Sequence, residues 1–441
     1  MKKINNFVDF NVFFIGIGGI SMSGLARLLK SMGAKVCGSD GDKNNPEIPK
    51  LKKFGIHVFD SHNKNNVAPD TNLVVYNFAI KDDNPELVRA RELKIPIISR
   101  AELLGMVASL YDNVIAVAGT HGKTTTTAMI SEIFSLAGLN PTIHIGGVSN
   151  NLKSNTIVGD TKYLILEACE YHGGFEYLNA NIGLILNIEA DHLDYYKDIN
   201  DINRAFGGFA NRSKCTIVDS DVKHINGDIV VGKDISASNI TYSDLGYNYD
   251  VYIDGTFWAN VRLNQIGLHN VNNSLFAIIC AVTSGIQKDI ILKAISDFNG
   301  VERRNEVIAR LNDIPVLIDY AHHPSEIKAS VLGLKEVSKK PLVIFQPHTY
   351  SRTLSLFDEF INVLKDIDNL IIFPTYPARE KEIIGGRAED LKNGLNNAKY
   401  VKDINELLKE IENITKQELC DLVVILGAGD LALKLKNHFK K

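Results

Sequence analysis

The chain has 441 residues, of which 45% are hydrophobic and 23% charged, and its formal net charge is −4. This composition suits a globular protein of two to four domains and excludes a general electrostatic attraction to nucleic acid. No run reaches the roughly 18 apolar residues of a membrane helix, the N-terminus lacks a secretory pattern, and the five scattered cysteines have no metal or redox spacing. We expect a cytoplasmic protein without membrane insertion, either a monomer or a homodimer.

The first hundred residues read as a small α/β sheet with a glycine turn after its first strand. An apolar strand at 12–15 leads into the turn at 16–24, leucines at helical spacing follow, and a second strand begins at Lys35. Such a turn holds a diphosphate at a helix N-terminus, and Asp40 lies where a ribose-binding acid would sit. Alone, this pattern favours a dinucleotide-dependent oxidoreductase, or a tight turn without a ligand.

The strongest motif begins a second unit and follows an apolar strand at 113–118. Its residues are Gly119-Thr120-His121-Gly122-Lys123-Thr124-Thr125-Thr126, and a helix from about 124 to 137 follows. The motif lacks the full spacing of the common P-loop, but strand, glycine turn and helix come in the same order. We expect Lys123 to reach the β- and γ-phosphates of a nucleotide and Thr124 to ligate Mg²⁺.

Two polar motifs follow the next buried strands of this unit, at 163–166 and 182–186. Glu167-Ala168-Cys169-Glu170 places acids at a strand end beside the phosphate loop, where a carboxylate is a natural magnesium ligand. The second motif, residues 187–194, contains His192, which is a less usual magnesium partner and has a structural role as its alternative. Residues 225–261 are β-rich, and a helix near 270–284 closes the unit.

A third unit begins near Gly300 and has four apolar strands, at 316–319, 342–345, 370–373 and 422–426. Helical stretches separate the strands, which predicts a mostly parallel sheet. Two polar loops with histidines, at 319–324 and 346–353, follow the first two strands, where open α/β sheets bind ligands.

Taken in order, these motifs resemble the Mur ligase family, which builds the stem peptide of peptidoglycan. The resemblance runs from residue 12 to about 429 and rests on the two glycine motifs, the acidic and histidine loops, Gly267-Leu268-His269-Asn270 with Asn273, and Gly300-Val301-Glu302-Arg303-Arg304. It implies an α/β fold of three domains. These are a Rossmann-like UDP-binding domain at 1–105, a central P-loop ATPase-type domain at 106–299, and a Rossmann-like C-terminal domain at 300–441 that closes over ATP and the amino acid.

The resemblance also implies the residues of each site. The residues expected to hold the UDP substrate are Gly16, Gly18, Gly19, Ser23 and Asp40. Those expected to bind ATP are Gly119, Thr120, His121, Gly122, Lys123, Thr124, Thr125, His269, Asn270, Asn273 and Arg304. The expected Mg²⁺ ligands are Thr124, Glu167 and His192. The expected catalytic residues are Lys123, His192, His323, His348 and Arg352.

Within the family, the motifs are most similar to the members that add L-alanine. The implied reaction joins L-alanine to the carboxylate of UDP-N-acetylmuramate through an acyl phosphate, with ATP and Mg²⁺, and releases ADP and phosphate. One alternative is a peptide-recycling ligase that adds a tripeptide to the same UDP sugar. More distant alternatives are an NAD-dependent oxidoreductase and a nonenzymatic nucleotide-binding regulator.

Three segments depart from the family pattern. Asn77-Phe78 stands where members often have two serines, and Thr349 stands where many carry arginine. The segment after Glu170 is Tyr171-His172-Gly173-Gly174-Phe175 in place of an acidic and serine-rich one.

Overall fold

The structure is a computed structural model that describes residues 7–192, 195–378 and 380–439. The described strands form sheets of five, ten and six strands, so the α/β fold class is confirmed. By their contacts the residues separate into two compact units. The first comprises Met1–Thr241, Asn248–Leu263 and His269–Asn299, and the second comprises Tyr242–Tyr247, Asn264–Leu268 and Gly300–Lys441. The first unit contains the five-stranded sheet and most of the ten-stranded sheet, and the division into three domains stays a prediction.

The five-stranded sheet is parallel throughout, in the order β3-β2-β1-β4-β5. Its strands are β1 (Asn11–Ile15), β2 (Lys35–Ser39), β3 (His57–Phe59), β4 (Leu73–Tyr76) and β5 (Ile97–Ser99). Its helices are α1 (Ile20–Ser31), α2 (Glu47–Lys53), α3 (Pro85–Glu92) and α4 (Arg100–Ala108). The central strand β1 is apolar and almost wholly buried, as expected of a parallel strand with helices on both faces.

The ten-stranded sheet has the order β15-β14-β13-β12-β11-β10-β6-β9-β7-β8. Its first six strands are β6 (Asn113–Ala118), β7 (Thr142–His144), β8 (Thr156–Ile157), β9 (Tyr163–Glu167), β10 (Ala180–Ile185) and β11 (Ser213–Asp219). The β-rich region contributes β12 (Ile229–Val231), β13 (Ile235–Ser243), β14 (Gly246–Ile253) and β15 (Thr256–Leu263). The helices are α5 (Lys123–Leu136), α6 (Ile199–Asn211), α7 (His269–Thr283) and α8 (Lys288–Asp297). The central strand β6 is parallel to both of its neighbours, β9 and β10.

The six-stranded sheet of the second unit has the order β16-β17-β21-β18-β19-β20. Its strands are β16 (Glu306–Leu311), β17 (Ile314–Asp319), β18 (Pro341–Phe345), β19 (Asn369–Ile372), β20 (Ala398–Tyr400) and β21 (Leu422–Leu426). Only β16 runs antiparallel among these described strands. Its helices are α9 (Pro324–Val337), α10 (Tyr350–Ser355), α11 (Phe357–Leu364), α12 (Ala388–Asn393), α13 (Ile404–Lys416) and α14 (Leu431–Phe439).

Parallel strands bring their carboxyl ends to one edge of each sheet. In the five-stranded sheet that edge carries the glycine turn after β1. In the ten-stranded sheet it carries the phosphate loop after β6 and the acidic segment after β9. In the second unit it carries the loops after β17 and β18, whose strands flank β21. The fold therefore gathers the polar loops of each unit where ligands bind in open α/β sheets.

Candidate active site

The phosphate loop leads into helix α5, and no side chain caps the backbone N–H groups at the start of that helix. Gly122, at the N-cap of α5, has a φ of 83°, and no side chain caps the helix or places an acid in its first turn. A side chain at Gly122 would place its Cβ 2.5 Å from Oδ1 of Asn273, so the close packing and the positive φ both require glycine. The first N–H groups of an uncapped helix attract phosphate through their hydrogen bonds and the helix dipole.

Lys123 folds back over this loop toward buried acceptors. Its ammonium group donates to the backbone carbonyls of Gly119 and Thr120 and to Oε1 of Glu170, 2.9 Å away. The Glu170 side chain is almost completely buried, and its second carboxylate oxygen has no hydrogen-bond partner among the described residues. A lysine with two carbonyls and one carboxylate as acceptors is well placed to take phosphate oxygens instead.

The loop after β10 holds the phosphate loop in shape. The side chain of Asn187 accepts from the backbone N–H of His121 at 2.8 Å and donates to its carbonyl at 3.1 Å. The hydroxyl of Thr120 accepts from the N–H of Glu189 at 2.9 Å, and the carboxylate of Glu189 lies 3.4 Å from the His121 ring. These bonds use the N–H of His121, and that of Thr120 donates to the Asn187 carbonyl, so they fix the backbone of the loop ahead of α5.

The proposed metal ligands come from three adjacent segments. Thr124 is in the first turn of α5, Glu167 ends β9 and accepts from the N–H of Gly146 at 2.7 Å, and His192 lies 3.8 Å from Oε1 of Glu170. The described residues contain no group of three or more His, Cys, Asp or Glu side chains that closes around a metal by itself. Mg²⁺ often takes one or two protein oxygen ligands and completes its shell with water and substrate phosphates, so the hydroxyl of Thr124 and the carboxylate of Glu167 fit it. The end of the histidine motif, Leu193 and Asp194, lies outside the described residues.

The residues expected near the adenine begin helix α7. His269 is exposed at its first position, whereas Asn270 and Asn273 are buried and joined by a hydrogen bond of 2.9 Å. Asn273 faces the phosphate loop at Gly122, and Thr125 lies in the first turn of α5. The structure thus brings Asn273, Lys123 and the loop glycines together, and the nucleotide contacts of all the residues named for ATP stay predictions.

The glycine turn after β1 has a similar helix entry. Helix α1 follows Gly19 with no side-chain cap and no acid in its first turn. Gly16 has a φ of 75°, and a Cβ on Gly18 would lie 2.8 Å from the Asp40 carboxylate. Asp40 accepts from the N–H of Gly18 at 2.9 Å, so it holds the turn, and its contact with a ribose stays a prediction.

Ser23 points inward from α1. Its hydroxyl is buried and lies 2.9 Å from the carbonyl of Ile20 and 3.2 Å from the Glu47 carboxylate. Ser21 lies two residues closer to the start of α1. Its hydroxyl is 2.8 Å from Nε2 of His144 and 3.2 Å from the guanidinium of Arg100. The contact of Ser23 with a diphosphate stays a prediction.

In the second unit, His348 and Arg352 lie together after β18. Arg352 donates to the carbonyl of His348 at 3.1 Å, and the His348 ring stacks on Tyr376 with centroids 5.5 Å apart. Burial, with the nearby His322 and Arg352, lowers the pKa of His348 to about 4. His348 is therefore a neutral ring at neutral pH, able to accept or donate one hydrogen bond.

The remaining predicted residues of this unit surround the loop after β17. His323 is exposed and caps α9 by accepting from the N–H of Ser325. The guanidinium carbons of Arg303 and Arg304 lie 4.7 and 5.5 Å from the centre of the Tyr320 ring. Arg303 also donates to two carbonyls of the loop after β21, which leaves Arg304 as the freer of the two for a ligand.

Sequence reasoning missed three contacts of the first unit. The motifs assign no individual role to Glu170 or Asn187, and they give no sign of Arg100. The carboxylate at the end of the Glu167-Ala168-Cys169-Glu170 motif was a usable signal for a lysine partner. Asn187 and Arg100 act through residues 66 and 79 positions away, and no local pattern indicates such pairs.

The chain is similar to known proteins over nearly its whole length. Family models described as "Mur ligase family, catalytic domain", "Mur ligase middle domain" and "Mur ligase, glutamate ligase domain" match residues 11–112, 117–281 and 303–429. The chain belongs to the Mur ligase family. Because the first of these matches includes the Gly16 turn, the turn is part of a ligase and the oxidoreductase alternative is wrong.

Individual members of the Mur ligase family are similar over nearly their full length. A UDP-N-acetylmuramate–L-alanine ligase of Clostridium tetani is 42% identical, over 95% of this chain and 96% of that protein. The structure of UDP-N-acetylmuramate-alanine ligase MurC from Thermotoga maritima matches with a TM-score of 0.81 and 28% identity, over 98% of both chains. A murein peptide ligase from Psychrobacter arcticus matches with a TM-score of 0.69 and 25% identity, over 96% of both chains.

The described residues contain no helix that is both long and apolar enough to cross a bilayer.

Proposed function

We propose that the protein is a UDP-N-acetylmuramate–L-alanine ligase that uses ATP to form an amide. The observation that carries the proposal is the Lys123 phosphate loop, set in a chain that is 42% identical over nearly its whole length to a ligase of this name. The substrates are UDP-N-acetylmuramate, L-alanine and ATP, and the product serves peptidoglycan synthesis. Since ATP and UDP sugars are made in the cytoplasm, we place the reaction there.

A free carboxylate does not react with an amine at neutral pH, so it must first be activated. In the first step a carboxylate oxygen of the UDP sugar attacks the γ-phosphorus of ATP. The bond from that phosphorus to the β-phosphate bridging oxygen breaks, giving an acyl phosphate and ADP. Both reactants are anions, and Lys123 with the N–H groups of α5 offsets their repulsion and the charge of the transferring phosphoryl group.

Magnesium fits the residues beside the loop. We propose Thr124, Glu167 and His192 as its protein ligands, with phosphate oxygens completing the shell. The buried carboxylate oxygen of Glu170 that lacks a hydrogen-bond partner supports a cation at this place. When bound, Mg²⁺ would neutralise phosphate charge and favour attack on the γ-phosphorus.

In the second step the amine of alanine attacks the acyl carbon. The nitrogen forms the new bond and loses a proton, and the carbon–oxygen bond to phosphate breaks from a tetrahedral intermediate. We assign the C-terminal residues His323, His348 and Arg352 to the amino-acid and acyl-phosphate end, and Arg304 to the ATP phosphates. The neutral state of His348 supports a hydrogen-bonding role rather than an ionic one.

The test is phosphate release from ATP with UDP-N-acetylmuramate fixed and each amine supplied in turn. We expect turnover with L-alanine, weaker turnover with glycine and L-serine, and none with the L-Ala-γ-D-Glu-meso-diaminopimelate tripeptide. A methyl group contributes only about 1–3 kcal/mol to selection, so weak activity with glycine is compatible with the proposal. Turnover with the tripeptide and not with alanine would establish the peptide-recycling alternative.

A further inference from the structure

Two aromatic rings of the first unit stack on each other at the edge that carries the proposed site. Phe78, just after β4, and His172, just after the acidic motif, have ring centroids 4.3 Å apart with 23° between their planes. Phe78 is 44% exposed, so much of its ring is open to solvent. The pair lies at two of the segments in which the sequence departs from the Mur ligase pattern.

The pair is held in place by its backbone and its neighbours. His172 has a φ of 51°, a left-handed conformation that is rare for a residue with a side chain and costs about 1 kcal/mol or more. Its ring also contacts Tyr171 and Tyr195, at centroid distances of 4.2 and 4.9 Å. Such strain persists only where surrounding contacts fix it, so the ring orientation is specified rather than incidental.

The stack lies between the two ends of the proposed acceptor site. On one side, the amide of Asn77, next to Phe78, lies 3.3 Å from where a Cβ of Gly16 would be. On the other side, the Tyr171 ring lies 4.4 Å from the ring of His192, the proposed metal ligand. The contacts that lead from the glycine turn to His192 therefore run through the Phe78–His172 pair.

The acceptor substrate has the matching order of chemical groups. Its diphosphate binds one end of the site, its carboxylate must reach the ATP end, and a pyranose ring lies between them. A pyranose presents C–H groups on its faces, and these pack favourably against the electron-rich face of an aromatic ring. We propose that Phe78 and His172 form a platform that positions the sugar of the UDP substrate, an inference that rests on the proposed function.

A purely structural role for the pair makes a different prediction. If the stack only joined two loops, its loss would destabilise the protein and weaken every ligand of the first unit alike. The buried apolar clusters of the described residues do not include Phe78, and its exposed face is open to a ligand.

The experiment measures the binding of UDP, UDP-N-acetylglucosamine and UDP-N-acetylmuramate by calorimetry to four full-length variants. These are Phe78→Ala, His172→Ala, His172→Phe and, as a control at an exposed phenylalanine of β15, Phe257→Ala. We expect the two alanine variants at the stack to bind both UDP sugars about five- to tenfold more weakly while binding UDP as the wild type does. His172→Phe keeps an aromatic ring and should restore most of the affinity, and Phe257→Ala should change nothing.

Three outcomes would overturn the platform. They are unchanged affinity for both UDP sugars, an equal loss for UDP itself, and a loss confined to UDP-N-acetylmuramate, which would place the contact on the lactoyl group instead. Failure of the proposed function is a separate result, because a wild-type protein that binds none of the three ligands would refute the UDP substrate before any variant is compared.

Discussion

The ammonium group of Lys123 lies 2.9 Å from a carboxylate oxygen of Glu170, and the two side chains are only 16% and 5% exposed. A buried charge that loses its partner is strongly unfavourable, because water cannot replace the missing contact. Lys123 and Glu170 therefore stabilise each other as well as shaping the phosphate loop.

Glu170→Gln keeps the shape of the side chain and removes its charge. We expect the free energy of unfolding to fall by about 1–3 kcal/mol, since Lys123 then has only neutral acceptors. Urea denaturation measures this loss, and Glu176→Gln, at an exposed position six residues along, should change stability by less than about 0.5 kcal/mol. Equal stability of Glu170→Gln and the wild type would show that the ion pair contributes nothing.

Lys123→Ala should abolish ligation with the fold retained. Removing a group that stabilises transition-state charge commonly lowers kcat by about 100-fold or more. The substitution also leaves Glu170 without its cation, so we expect the double variant Lys123→Ala with Glu170→Gln to be more stable than Lys123→Ala and equally inactive. Circular dichroism melting and alanine-dependent phosphate release separate the two effects. Near-normal turnover of Lys123→Ala would refute the assignment of this loop.

The low pKa of His348 predicts a pH dependence of stability. The pKa is about 4 in the folded protein and about 6.5 in an unfolded chain, so between these values the unfolded state binds more protons. The contribution of His348 is complete above pH 6.5 and is lost as the pH falls toward 4. NMR should give a titration midpoint for His348 near 4, and Arg352→Gln should raise it by removing a nearby positive charge. A wild-type midpoint near 6.5 would contradict the burial of this ring.

Gly24 illustrates how packing, rather than a ligand, can require a glycine of a binding motif. A Cβ at Gly24 would lie 2.3 Å from Oγ1 of Thr156 and 2.9 Å from the His144 ring. We expect Gly24→Ala to lower the free energy of unfolding by about 1–3 kcal/mol through overpacking. Gly207, in the middle of α6, has open space around it, so Gly207→Ala should raise stability by roughly 0.5–1 kcal/mol. Urea denaturation of both variants gives the comparison, and a neutral Gly24→Ala would show that α1 can shift.

The strands that the sequence predicted most accurately are the ones buried on both faces. The residues of β6 and β21 match the predicted ranges, and α5 begins and ends one residue before its expected limits. A parallel strand reads as a short continuous apolar run, so its ends are sharp. Short edge strands such as β3 and β20 have no such run, because one side of an edge strand meets solvent and its sequence needs no continuous apolar stretch.

The sequence predicted the backbone motifs of the candidate site better than the partners of its side chains. The glycine turns and the Lys123 loop follow from local chain geometry, since positive φ values and helix starts are specified by neighbouring residues. The ligand contacts of Asp40 and Ser23 stay predictions, whereas their bonds to the N–H of Gly18 and the carbonyl of Ile20 are features that the motif did not indicate. Tertiary packing decides which way a polar side chain turns, and one sequence does not contain that information in a local pattern.

In the proposed mechanism the carboxylate of UDP-N-acetylmuramate attacks the γ-phosphorus of ATP, and the amine of L-alanine then displaces phosphate from the resulting acyl phosphate. The most direct measurement uses UDP-N-acetylmuramate with oxygen-18 in its carboxylate, incubated with the protein, ATP and L-alanine. The mechanism predicts that released phosphate carries one labelled oxygen from the carboxylate, as detected by mass spectrometry. Unlabelled phosphate alongside formed amide, or phosphate release that does not depend on L-alanine, would contradict it.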